Sequence, residues 1–196
     1  MAFVTSKDGS SLDVKNMGQG KPAVLIHGWR LTGDMFEFQT HAMLDTGYRV
    51  VTYDRRGFGQ SEHAACGYDY NTFADDLASV IGELALENVA LLCFSMGGGE
   101  ITRYLTRHGP GRIAKAVLVS SIVPHLLKGD DNPEGVDESV FDTIRAQARE
   151  DRCLPPGFCQ AVLRRRAHFQ PGQPAPARLQ FSAWRDGQPE GHRRMH

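Results

Sequence analysis

The sequence predicts an α/β fold: a mostly parallel sheet with flanking helices. Three observations carry that reading. Residues 23–26 and 89–94 are short, wholly apolar runs, the pattern of strands buried on both faces. Segments with a 3.6-residue apolar period stand between the strand patterns. Strand and helix alternate throughout, so each pair of parallel strands has a crossover helix to join it.

The elements follow in order. Residues 12–15 form a short strand, and the glycine-rich stretch 18–22 is a turn. The run Ala23, Val24, Leu25, Ile26 is a buried strand that stops at His27 and Gly28. Asp34 is positioned to cap a helix reaching about Leu44, with Phe38 and Met43 on one side, and Gly47 closes it. Residues 49–53 are the next strand, followed by a glycine-rich loop at 54–61. Asn71 is positioned to cap a helix whose apolar positions are Phe73, Leu77, Val80, Ile81 and Leu84. Residues 89–94 are a third buried strand. A helix from Met96 to His108 stops at Gly109 and Pro110. Residues 113–120 are a fifth strand, and a further helix starts at Pro133 with Val140, Phe141, Ile144 and Ala148 on one face.

A chain of 196 residues makes one domain, or one and a fraction. Charged residues are 23% and the formal net charge is -1, which gives no basis for nucleic-acid or membrane-surface binding. No uncharged apolar run approaches the roughly 18 residues of a membrane span. The N-terminus has no basic segment leading into an apolar one, so no signal peptide is expected. Cys66, Cys93, Cys153 and Cys159 form no C-x-x-C pair. These features point to reduced thiols in a cytoplasmic setting.

The averages conceal a seam. Residues 1–150 carry a net charge of -6, and residues 151–196 carry +5. Arg, Pro, Ala and Gly make up half of those last 46 residues, and Val162 is their one β-branched aliphatic residue. Runs such as 170–176, with three prolines, hold neither a helix nor a central strand. The expectation is a partial core at 1–152 and an Arg/Pro-rich, disordered or irregular tail at 153–196. A shifted reading frame in GC-rich DNA would produce such a tail.

The chemistry sits at Phe94, Ser95, Met96, Gly97, Gly98 and Gly99. A serine between a buried strand and a helix is pushed out at the carboxyl end of the sheet, where α/β sheets place ligands. Small residues leave room for the tight turn. The helix N-terminus supplies unpaired N–H groups and a partial positive field, so the Met96 N–H is placed to meet a developing oxyanion. A second donor should come from the loop after an earlier strand, and there the candidate is the Trp29 amide. One such donor contributes about 3 kcal/mol.

With these residues the chain resembles an α/β-hydrolase, in particular the cofactor-free (non-haem) haloperoxidase and esterase group. The matching stretches are 27–29, 47–51, 54–61, 94–100 and 112–118, in the family's order and spacing. The resemblance implies a Ser–His–Asp triad, hydrolysis of small esters or lactones, and peracid formation from a carboxylic acid and peroxide, without metal or haem. It implies that Ser95 is the nucleophile and that Trp29 and Met96 are the oxyanion-hole residues. The implied partner is a small-molecule ester or carboxylic acid.

The chain departs from the family twice. Cys93 stands where a glycine is usual, two residues before the nucleophile, and its bulk is expected to strain the turn. The resemblance ends near Arg152, before the strands whose loops carry the triad acid and histidine, so the fold is expected to be truncated there. His168, His192 and His196, with Asp130, Asp131 or Asp186, are the residues left to replace them, and a proline-rich segment offers little packing to hold them.

Other features read more plainly. Gly57, Phe58 and Gly59 fail the dinucleotide fingerprint because Glu62 occupies its third glycine position, so the stretch is a structural loop. Asp54 is expected to brace that loop. Arg164, Arg165 and Arg166 lack interleaved aromatics and read as solvated. Two functions remain open from sequence: a serine hydrolase with its later triad members missing, or an inactive product or partial-fold binding protein. By the same resemblance, strand 113–120 becomes an open apolar edge, and poor solubility is expected.

Overall fold

The computed structural model describes residues 2–123 and 126–150. The tail expected at 153–196 lies outside the described residues, and with it His168, His192, His196, Asp186 and the arginine run. The chain divides into two compact units, one reaching Glu138 and one starting at Ser139.

The first unit holds a six-stranded sheet with β1 (Ala2–Thr5), β2 (Ser11–Met17), β3 (Lys21–Ile26), β4 (Tyr48–Tyr53), β5 (Val89–Phe94) and β6 (Ile113–Val119). Its spatial order is β1-β2-β4-β3-β5-β6. The first two strands run antiparallel to their neighbours, while β4, β3, β5 and β6 are mutually parallel. The crossovers are α1 (Glu37–Asp45), α2 (Tyr70–Glu83) and α3 (Gly97–His108). The chain therefore forms a mixed sheet whose central part is parallel, as the apolar runs predicted.

Alternation along the strands explains why both faces are apolar. Val24, Ile26, Val51, Leu91 and Cys93 join the core that also takes in Leu77, Val80 and Ile81 of α2 and Ile101 and Tyr104 of α3. Their neighbours Leu25, Val50 and Leu92 point to the other face and pack with Phe36, Met43 and Leu44. Successive side chains alternate across a strand, so one apolar run serves two cores.

Local expectations need five corrections. Strand β1 is not among the strands the sequence predicts: its four residues are too short to show a period, and it exists by pairing Val4 with Leu12 in the β1–β2 hairpin. Asp34 does not cap a helix. It sits in a 3-10 turn, Gly33–Phe36, and its carboxylate pairs with Lys15 of β2. Phe38 is 82% exposed. Phe36, Thr40, Met43 and Leu44 share the buried side instead, and at about 100° per residue Phe38 falls outside that stripe. Asp69, not Asn71, caps α2, accepting from the Asn71 and Thr72 amides at 2.8 and 3.2 Å. The last helix, α4 (Glu138–Glu150), starts five residues after Pro133, because bridges Leu127–Val136 and Gly129–Asn132 tie the intervening residues into a turn. Within α4, Val140 is exposed and Phe141 and Ile144 are half-buried.

Candidate active site

Ser95 occupies the turn between β5 and α3 with φ of 51°, a left-handed conformation that costs a non-glycine residue about 1–3 kcal/mol. The turn is held on several sides. The Ser95 N–H donates to the Val119 carbonyl of β6 at 3.0 Å, and the Ser95 carbonyl accepts from Gly98 at 3.1 Å and Ile122 at 3.3 Å. Met96 opens α3 with helical angles. Among the described residues, its amide meets no backbone carbonyl, as expected for the first amides of a helix.

The glycines there are required by space. A Cβ on Gly97 would stand 2.8 Å from the Ile26 carbonyl oxygen and 2.9 Å from the Cys93 Cβ. A Cβ on Gly28 would stand 2.8 Å from the Phe94 ring and 3.4 Å from the Ser95 Cβ. The loop after β3, with Trp29, is thus pressed against the serine turn. Ser95 and Gly28, which the sequence puts 67 positions apart, meet at the carboxyl end of β3 and β5. Trp29 itself is 36% exposed, with the Arg30 guanidinium 5.6 Å from its ring centre.

Cys93 stands buried in β5, two residues before the serine whose turn its bulk was expected to strain. Its thiol is fully buried beside Gly97 and Gly98, the left-handed residue is Ser95, and burial pushes the thiol up to about 11. Asp54 braces its loop as expected: one carboxylate oxygen accepts from the Gly33 amide and the other from the Gln60 amide, both at 2.8 Å.

Sequence reasoning missed a polar cluster under the turn. His27 is fully buried. Its Nε2 accepts from the Arg55 N–H at 2.9 Å, and its Nδ1 lies 2.7 Å from the Gly28 carbonyl, so it is the Nδ1–H tautomer. Burial, with the Arg55 charge, lowers it to about 4, so it is neutral. With both ring nitrogens engaged, His27 is not placed to serve as a base. The Arg55 guanidinium donates to Glu100 of α3 at 2.7 Å and to the His27 carbonyl at 3.0 Å. The Tyr53 hydroxyl donates to the other Glu100 oxygen. Burial pushes the Glu100 carboxyl up, while Arg55 and Tyr53 pull it back. The signal available was a charged residue on the buried stripe of α3, beside Ile101 and Tyr104.

Fold and turn together define a class: α/β proteins in which a serine bends a central parallel strand into a helix at the carboxyl end of the sheet. The chain belongs to the alpha/beta hydrolase fold family, whose sequence model matches residues 21–155. It is 48% identical over 145 residues to the non-heme chloroperoxidase of Kitasatospora aureofaciens, covering 74% of this chain and 53% of that protein. Among solved structures it is similar to a bromoperoxidase from Bacillus anthracis (43% identity, TM-score 0.74, 77% of this chain and 55% of that one). It is also similar to an esterase from Exiguobacterium antarcticum (39%, TM-score 0.75, 76% and 56%). The chain spans about half the length of the relatives it matches.

Proposed function

We propose that this chain carries the nucleophile half of a serine hydrolase acting on small esters and, with peroxide, on carboxylic acids. Ser95 Oγ attacks the acyl carbon and its proton ends on the departing oxygen, so that an ester loses its alcohol, or a carboxylic acid loses water, and an acyl-serine forms. Water then releases the acid, or hydrogen peroxide releases a peracid able to oxidise halide. The amides of Trp29 and Met96 bind the oxyanion. Small-molecule chemistry of this kind needs no cofactor from this chain, and the cysteine pattern favours the cytoplasm.

The observation that supports the reading most is the strained φ of Ser95 at the mouth of α3, with Gly28 packed on it. Strain of this sort persists where the surroundings over-determine it, which marks functional turns. A second reading, a non-catalytic chain, is favoured by one observation: His27, the histidine on the loop beside Ser95, has both nitrogens engaged. His108 is at the far end of α3, paired with Asp75, and Asp130 and Asp131 are exposed in the 129–132 turn. Without a base, activity falls by on the order of 10⁶ in kcat.

Treatment with a fluorophosphonate, followed by peptide mapping, separates the two. Covalent label on Ser95, lost in Ser95→Ala together with hydrolysis of an aryl acetate, is the expected result. An unlabelled Ser95 in the folded chain would leave the non-catalytic reading standing.

A further inference from the structure

We propose that Arg55 is a positioning residue of this site, one residue whose guanidinium and backbone amide together hold both oxyanion donors in fixed relation. The inference rests on the serine-hydrolase reading and adds a residue that the nucleophile and donor assignment does not contain.

The argument starts from what Arg55 touches. Its side chain is fully buried, as is that of Glu100. The guanidinium grips Glu100 through Nε and Nη2, and Glu100 lies in the first turn of α3, four residues after Met96. Nη1 lies 3.9 Å from the Met96 sulfur. Nη2 also holds the His27 carbonyl at 3.0 Å. Phe58 and Phe73 flank the guanidinium, at 5.9 and 5.2 Å from their ring centres. A planar fork packed between two rings and bonded at several points has little freedom left.

The second contact set reaches Trp29. The Arg55 backbone N–H fixes the His27 tautomer, and that tautomer donates to the Gly28 carbonyl at 2.7 Å. The Gly28 carbonyl and the Trp29 N–H belong to one planar peptide unit. Fixing the carbonyl therefore fixes the direction of the N–H. Arg55 thus reaches one donor through His27 and the other through Glu100 and Met96. Oxyanion donors act only when held in place before the reaction, and an error of about 1 Å costs about a hundredfold in rate. A buried ion pair is poor value as plain stabilisation, since an apolar pair of equal volume serves as well.

Arg56 provides an internal control. It is just as buried and pairs with Asp76 at 2.6 Å and Asp8 at 2.7 Å, tying the β1–β2 hairpin to α2 without touching either donor segment. The test compares Arg55→Lys with Arg56→Lys in the full 196-residue chain. Hydrogen exchange is followed by mass spectrometry at micromolar protein, and fluorophosphonate inactivation is resolved into its binding and rate constants. Arg55→Lys keeps the backbone N–H but loses the guanidinium bond to the His27 carbonyl and the two-point grip on Glu100, and should speed exchange in the segments around residues 27–30 and 95–99. It should lower the inactivation rate constant about a hundredfold with reagent affinity unchanged. Arg56→Lys should instead speed exchange around residues 8 and 76 and leave the inactivation rate alone.

Unchanged exchange at both donor segments in Arg55→Lys, or equal changes in Arg56→Lys, would overturn the proposal. If Arg55→Lys does not fold, Tyr53→Phe removes one Glu100 bond and must show the same selective pattern at smaller size. A wild-type chain that takes no label sinks the nucleophile assignment alone, and the exchange comparison still decides the role of Arg55.

Discussion

Ser95 donates its amide hydrogen to the carbonyl of Val119, 3.0 Å away, so the β5–β6 ladder runs on into the strained turn. The neighbouring strand thereby helps to hold a left-handed serine that would relax if left alone. Replacing Ser95 by alanine keeps the strain, and replacing it by glycine releases it. Ser95→Gly should unfold about 1 kcal/mol less easily than Ser95→Ala in urea. Equal midpoints would show that the turn stores no backbone strain.

The same strand carries a liability. β6 has one strand neighbour in the described sheet, and Leu118 and Val119 are 38% and 36% exposed. An exposed apolar edge is a template for pairing with other chains. The 196-residue chain should aggregate with rising concentration, and Leu118→Lys should raise the soluble yield without lowering the melting temperature. Light scattering against concentration is the measurement, and a variant that scatters like wild type removes β6 as the cause.

Acid should expose the burial of His27. Its folded pKa, about 4, lies below its ordinary value of 6.5, chiefly through burial. Between those values the unfolded chain takes up a proton that the folded chain refuses. The contribution is complete above pH 6.5 and is lost as pH falls towards 4, amounting to about 3 kcal/mol. Denaturant unfolding at steps across this range should show that slope in wild type and lack it in His27→Gln. Parallel curves would mean that His27 titrates normally.

The start of α2 offers a local test. Asp69 accepts two backbone amides and the Thr72 hydroxyl, while the Asn71 side chain accepts from Arg103 on the surface. Asp69→Ala should cost about 1 kcal/mol, a fall of about 3 °C in melting temperature, and Asn71→Ala about half of that or less. The reverse order would restore Asn71 as the cap.

The sequence by itself determined five of the six strands, three crossover helices and the serine turn. Each of these is written in local spacing: apolar runs for strands, the 3.6-residue period of α2, glycines at 97–99 that leave room for a bend. Tertiary structure alone decided the rest. β1 exists because β2 is there to pair with it, and Phe38 is exposed because other residues of its helix face the sheet. Above all, His27, Arg55 and Glu100 lie 28 and 45 positions apart along the chain, and local spacing marks only Glu100, as a charge on the apolar stripe of α3, without naming its partners. Apolar periodicity reports burial directly, because burial of such side chains is favourable whatever they meet. A buried charge is tolerable only beside a partner that satisfies it, and partners so distant in sequence are brought together by the folded sheet.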